Sequence, residues 1–411
     1  MDALLDLFQP GRTICLPGAS GEALALCDAL AQDPGRMRGA RVVSCLLPGF
    51  NGFDYAALDP EARLTVFLFQ PMLRASFAAG RVQVLPLAYS GIAAYLGGRL
   101  PLDVAVAHVA PPDSEGMCSL GIAADFTPLA WPQARCRALI VNHAMPRMRA
   151  GPRLALADAD VVVEVDHPLV TAKRVPASDV AESIAARIAA LVPDGAAIQL
   201  GIGGAPGAIW PHLRDRRDLV LASGLISEGF DMLADAGALA RGADHLAGVA
   251  LGSADFYSYL ATLDDFRMAS VDETHSAERI AATARFTAIN SALEVDLFGQ
   301  ANVEWVKGRM VSGVGGGPDF ARGAARSPGG RSIIALPATA ADGRISRLVS
   351  RIDAPTTSLG RADIDTVVTE YGVAELRDRS LDGRAEALIA IADPGHRDAL
   401  VESWAAVRAG L

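Results

Sequence analysis

Thr13-Ile14-Cys15-Leu16, followed by Pro17-Gly18-Ala19-Ser20-Gly21 and then by Glu22 to Ala31, is the stretch on which the fold turns. The first four residues read as a short apolar strand, the proline and glycines as a turn, and the alanine- and leucine-rich run as a helix. The same succession returns at Ala197-Ile198-Gln199-Leu200, Gly201 to Gly204, and Pro206 to Leu213. Further short strands are expected at Arg41 to Leu47, Val82 to Leu87, Val104 to Val109, Ala138 to Asn142 and Val161 to Val165. Strands that are apolar throughout are buried on both faces, as in a parallel sheet between two layers of helices. The fold class read from this pattern is α/β.

At ~100–200 residues per domain, 411 residues divide into two or three. A break falls near Val175-Pro176-Ala177-Ser178. Ser178 is placed to cap a helix whose Val180, Ile184, Ile188 and Leu191 share one face, and which stops before Pro193-Asp194-Gly195. Two open α/β domains that begin alike are expected, residues 1–182 and 183–411.

Hydrophobic residues are 51% of the chain and charged residues 20%, enough to fill a large core and too apolar for a disordered chain. Lysine plus arginine total 37 and aspartate plus glutamate 47, a formal net charge of −10. That balance repels phosphate backbones and argues against general nucleic-acid binding, though not against a local basic pocket for one anionic ligand. The five cysteines, Cys15, Cys27, Cys45, Cys118 and Cys136, form no CxxC pair and fit reduced thiols of a cytoplasmic protein. The N-terminus, Met1 to Asp6, carries two acids and no basic run, so no signal peptide is expected. Pro193, Asp194 and Gly195 interrupt the most apolar stretch, Ala189 to Trp210, so no membrane association is expected.

Three glycine-rich turns stand out: Gly18 to Gly21, Gly201 to Pro206, and Gly313 to Phe320. Any one of them is also explained as a tight strand-to-helix connection. Their backbone N–H groups are equally suited to approach an anion or a developing oxyanion closely. None is a Walker A loop, and Pro206 replaces the third glycine of a GxGxxG fingerprint. GxSxG and HExxH are absent. The seven histidines show no metal-ligand spacing, so no metal is expected. His167, beside Asp166, reads as a surface or structural histidine.

The most distinctive segment is Phe286-Thr287-Ala288-Ile289-Asn290-Ser291-Ala292-Leu293-Glu294-Val295-Asp296 through Gln300. Others are Gly313 to Ala324, Ser327 to Ile334, Val367-Val368-Thr369-Glu370-Tyr371-Gly372, Ala390 to Pro394, Pro111 to Gly121, and Val141-Asn142-His143-Ala144-Met145-Pro146. They span nearly the whole chain in order, and together they resemble the acetyl-CoA hydrolase/transferase family of class I CoA-transferases. The resemblance implies two α/β domains with the active site between them, an acyl-CoA thioester as substrate, and an acceptor for the acyl group or the CoA. It leaves the assembly state open, a homo-oligomer included. In the family a glutamate attacks the thioester carbonyl, and an acyl-glutamyl anhydride and then a glutamyl-CoA thioester follow. The N–H of Ile202, with Gly203 beside it, and a glycine N–H of Gly315-Gly316 match the family's oxyanion hole, so these two loops are expected to converge on the thioester carbonyl. Asn290 lies in the best-matched segment.

One departure is decisive for the chemistry. The family's glutamate lies in a His-Ser-Glu-Met type segment, matched here by Asp218 to Gly229. Without a gap, the glutamate position is Gly224, and Glu228 falls about one helical turn later. Direct attack by water, an amine or a hydroxyl, with Glu228 or His275 as base, is one reading. A shifted loop that makes Glu228 the nucleophile of an ordinary CoA-transferase is a second, and a CoA-ester binding protein without catalysis a third. His275 stands where family members often carry an asparagine, and Gly317 where they commonly carry glutamine. Ser223 and Ser227 flank the vacated position as weaker acyl-acceptor candidates. Glu294 and Asp296 are expected to serve a buried polar network.

Overall fold

Thr13–Cys15 is the central strand of a seven-stranded sheet in the computed structural model, which describes residues 1–172 and 176–411. The break expected at Val175 therefore lies partly outside the described residues. The strand order is Val82–Val84, Arg63–Val66, Arg41–Ser44, Thr13–Cys15, Leu102–Val109, Ala134–Asn142, Val161–Val165, and every pairing is parallel. The apolar runs are buried as their composition requires, with Ile14, Val42, Val104 and Ala138 at 0% exposure. Two expected strands are shorter than read, ending at Ser44 and Val84, and two begin earlier, at Leu102 and Ala134.

The second sheet repeats the plan. Ala197–Leu200 pairs in parallel with Val220–Ser227 on one side and with Phe286–Ser291 on the other. Arg331–Ala335 and Thr366–Thr369 extend it in parallel, and Gly372–Glu375 closes the edge antiparallel. In each sheet the first strand ends centrally, with its successors on opposite sides. This is a topological switch point, where open α/β sheets leave a crevice beyond the strand ends.

Ser178 caps the helix Asp179–Leu191, its Oγ accepting from Ala181 N at 3.2 Å. The buried face differs from the one expected. Ile184 and Ile188 are fully buried, but Ala181 and Ala185 complete the stripe while Val180 points outward at 36% exposure. The helix expected over Pro206 to Leu213 divides into Gly204–Ala208 and a tighter turn Trp210–Leu213 with Pro211 at its start, because proline has no N–H to continue the ladder.

The polypeptide groups into two compact units: Met1–Arg174 with Asp244–Thr274 and Val311–Gly315, and Val175–Ala243 with His275–Met310 and Gly316–Leu411. The contiguous division at 182/183 differs from this grouping because the chain returns twice to the first unit. Ala124 N and Asp125 N donate to Gly248 O at 3.0 and 3.2 Å, and Ala250 N donates to Ile122 O at 2.9 Å. Phe69 N likewise donates to Ser312 O at 3.2 Å. Such long-range pairing leaves no mark on the local sequence pattern.

All five cysteines are unpaired, and burial pushes the Cys15 and Cys27 thiols up to about 12. Asp125, 8% exposed, lines a small cavity with Cys15, Ser44 and Cys45, and burial raises its carboxyl from 3.8 to about 7. The unfolded chain releases this proton near pH 4 while the folded chain keeps it. The resulting stability is fully present below pH 4 and is lost as pH rises through 7. A shift of about three units corresponds to a loss on the order of 4 kcal/mol. Asp125→Asn is expected to remove that part of the decline, read as a smaller drop in unfolding free energy from pH 4 to pH 8 than in the parent protein.

Candidate active site

Three adjacent strands of the second unit carry residues singled out in the sequence: Gly201 follows Ala197–Leu200, Gly224 lies within Val220–Ser227, and Asn290 lies within Phe286–Ser291. Leu200 pairs with Ile289, and Ile198 with Leu221. Continuing the first register by one residue and the second by three brings Gly201, Asn290 and Gly224 level across the sheet. Ser223 fixes the register on one side: its Oγ accepts from Leu200 N and donates to Leu200 O, each at 3.3 Å. On the other side Gly201 N donates to Ile289 O at 2.8 Å.

The turn at 201–204 needs its glycines. A Cβ on Gly201 would stand 2.5 Å from Asn290 Oδ1. Gly203, at φ 153° and ψ 165°, occupies a region essentially restricted to glycine, and a Cβ there would meet Ser291 Oγ at 2.2 Å. Ile202 between them is 57% exposed, unusual for so large an apolar side chain. Asn290 is held by a reciprocal amide pair with Gln199, Nδ2 donating to Gln199 Oε1 at 3.1 Å and Oδ1 accepting from Gln199 Nε2 at 3.2 Å.

His275 and Gly224 are brought together. A Cβ on Gly224 would lie 2.6 Å from His275 Cε1 and 3.0 Å from Nε2, and a Cβ on Gly316 would lie 2.3 Å from Nε2. The imidazole therefore sits between two glycine backbones. Its third neighbour is Phe320, with ring centroids 4.5 Å apart, and Phe320 in turn stacks on Phe286. Two short helices set this arrangement. Ser276 caps Ala277–Ala282, accepting from Arg279 N at 3.2 Å. Gly323 lets Gly317–Arg326 approach so closely that a Cβ would meet Ile280 Cγ2 at 2.4 Å. His275 is 4% exposed, and burial pulls its imidazole from 6.5 down to about 3. It is neutral at any physiological pH.

Glu228 is placed differently from the sequence expectation. Val220–Ser227 is a strand, so Glu228 lies ~13 Å along the chain from Gly224 rather than one helical turn away. It is followed by Gly229 at φ 106°, which turns the chain over the Trp210 indole. Trp210 Nε1 donates to Ser227 Oγ at 3.2 Å, and Ser223 is fully buried, so both flanking hydroxyls serve structural bonds. Gly315, in the first unit, has φ 67° and bridges to Ala88. Asp296 is fully buried and accepts from Phe298 N, Gln300 N and Gln300 Nε2, as expected of a buried polar group, while Glu294 is half-buried and accepts separately from Asn302 Nδ2. His167 bonds to Asp28 at 3.1 Å. Gln199, Ser291 and Phe320 were not legible as site residues. Nothing in their local pattern distinguishes them from core positions.

Among the described residues, no group of three or more histidine, cysteine, aspartate or glutamate side chains is placed to hold a metal ion. Among them, too, no helix is long and apolar enough to cross a membrane.

Comparison with known proteins agrees with this architecture. Residues 1–172 match the acetyl-CoA hydrolase/transferase N-terminal domain, and residues 252–404 match the acetyl-CoA hydrolase/transferase C-terminal domain. The 4-hydroxybutyrate coenzyme A transferase of Clostridium kluyveri is 33% identical over 396 residues, covering 94% of this chain and 92% of that one. Among solved structures, RipA from Yersinia pestis superposes with a TM-score of 0.88 at 29% identity, covering 97% of this chain and 94% of that one. The 4-hydroxybutyrate CoA-transferase of Porphyromonas gingivalis superposes with a TM-score of 0.80 at 29% identity, covering 100% and 96%. The fold and site define a two-domain α/β enzyme of the class I CoA-transferase type. The chain belongs to the acetyl-CoA hydrolase/transferase family, whose substrates are CoA thioesters.

Proposed function

We propose that this protein cleaves an acyl-CoA thioester by direct attack of water, or of a hydroxyl or amine acceptor, on the acyl carbonyl, with no glutamyl-enzyme intermediate. The observation that carries the reading is the neutral imidazole of His275 packed against Gly224, the position matched to the family's glutamate. A residue without a side chain accepts no acyl group, whereas the imidazole beside it is a proton acceptor. In this mechanism the attacking oxygen or nitrogen adds to the carbonyl carbon and its proton passes to His275. The N–H groups of Ile202 and Gly316 receive the oxyanion, with Gly203 shaping the first loop and Gly315 the second. The oxyanion then collapses, the C–S bond breaks, and the proton leaves the imidazolium for the CoA thiolate. Burial that makes the imidazolium costly weakens the base in the first transfer and drives the second. Asn290 orients the acyl carbonyl.

Glu228 is the alternative base, and in an ordinary CoA-transferase the alternative nucleophile. The test is thiol release from acetyl-CoA and butyryl-CoA in water and with carboxylate, alcohol and amine acceptors, for the parent protein and Glu228→Gln. Release that survives Glu228→Gln supports the proposed route. Release that requires both a carboxylate acceptor and Glu228 supports the transferase, and saturable binding without release supports a binding protein. A base held at about 3 also predicts the pH profile. Because the active neutral form persists well below the ordinary histidine range, kcat/KM is expected to show no histidine inflection near 6.5. A fall in kcat/KM with acid centred at pH 6–7 would point to another base.

A further inference from the structure

We infer that positions 224 and 275 exclude one another: the His275 imidazole stands in the room that a side chain on residue 224 needs, and this exclusion selects the class of acceptor that takes the acyl group. The inference rests on the function proposed above, which matches Gly224 to the family's nucleophile.

The geometry is restrictive on three sides. A Cβ on residue 224 falls 2.6 Å from His275 Cε1, and a Cβ on residue 316 falls 2.3 Å from Nε2 and 2.6 Å from Cδ2. Both are closer than packed carbon atoms come, and the Phe320 ring edge is 3.5 Å from either added carbon. The imidazole is 4% exposed, with its centroid 4.5 Å from that of the Phe320 ring. A glutamate at 224 would have to displace this ring or share its volume.

The present pairing therefore disfavours a carboxylate nucleophile at 224 by volume. With no carboxylate at 224, no CoA ester forms at that position, and CoA has no route through it to an incoming carboxylate. The acyl group goes to water, a hydroxyl or an amine.

The converse is constructive. Asparagine at 275 lacks the ring atoms nearest both glycines, so Gly224→Glu with His275→Asn has room for the new side chain. In that variant a carboxylate oxygen of the introduced glutamate attacks the thioester carbonyl and the C–S bond breaks, leaving an acyl-glutamyl anhydride and CoA thiolate. The thiolate attacks the glutamyl carbonyl and expels the acyl group as a carboxylate. Acetate then takes the CoA through the reverse steps.

The experiment compares the parent protein, Gly224→Glu, His275→Asn and the double variant by thermal unfolding and by intact mass after mixing with butyryl-CoA and acetate. Gly224→Glu alone is expected to lower the unfolding midpoint by about 5 °C or more. The double variant recovers at least half of that loss, and it alone gains a CoA adduct at residue 224 and forms acetyl-CoA. If Gly224→Glu does not fold, Gly224→Ala with and without His275→Asn gives the same comparison, since its Cβ alone meets the ring. Additive midpoints overturn the exclusion. Recovery of stability without adduct or exchange overturns the acceptor selection. The unfolding comparison needs no activity, so a parent protein that releases no CoA from any thioester sinks the proposed function while the exclusion is judged separately.

Discussion

His275→Asn is expected to lower the turnover of acyl-CoA by about 10²–10⁴-fold, the range typical for loss of a general base, while acyl-CoA affinity stays within a few-fold. Asparagine keeps a hydrogen-bonding amide but has no ring nitrogen that takes up a proton. The residue is 4% exposed and packs against Phe320, so folding must be checked by thermal unfolding in parallel. A structural role alone would move the unfolding midpoint and the Michaelis constant together. A role in the chemical step lowers kcat and leaves the dissociation constant of a non-hydrolysable acyl-CoA analogue near its parent value. Full activity in this variant would remove His275 from the mechanism.

Gly203→Ala is expected to be strongly destabilising. Its φ of 153° and ψ of 165° are closed to residues with a Cβ, and the added carbon would press on Ser291 Oγ. Backbone strain of this kind costs about 1–3 kcal/mol and overpacking a similar amount. A loss of about 2–4 kcal/mol in unfolding free energy is expected, together with loss of activity, because Ile202 N–H would be re-aimed. Gly207, four residues on, is the control. It lies within the helix Gly204–Ala208 with nothing within 4 Å of an added carbon, so Gly207→Ala should be neutral or stabilising by up to about 1 kcal/mol. Equal effects of the two substitutions would show that the turn does not depend on the geometry of Gly203.

The fold was legible where chemistry is local. Apolar runs such as Val161–Val165 and the recurring strand, glycine turn and helix announced two parallel sheets, because burial on both faces leaves a compositional signature. Arg63–Val66 escaped notice because a four-residue run with one threonine has no clear period. The interleaving of the two units was hidden for a different reason: Gly248 and Ser312 receive their bonds from segments far away in the chain. The site divides in the same way. Gly201, Gly203 and Asn290 lie in segments whose resemblance to the family drew attention to them, and Gly224 was singled out by the ungapped register expected from that resemblance. That His275 fills the space beside Gly224 depends on the approach of two helices through Gly323, which no local pattern encodes. The helical spacing expected between Gly224 and Glu228 failed because Val220–Ser227 continues as a strand up to Gly229.

The central claim is that the thioester is opened without passing through an ester of the protein. Intact-protein mass spectrometry, on samples quenched during steady-state release of CoA from butyryl-CoA, tests it most directly. The account predicts the unmodified mass at every time point while free CoA accumulates. A butyryl or CoA adduct mapped to Glu228, formed and consumed at the rate of turnover, would contradict it.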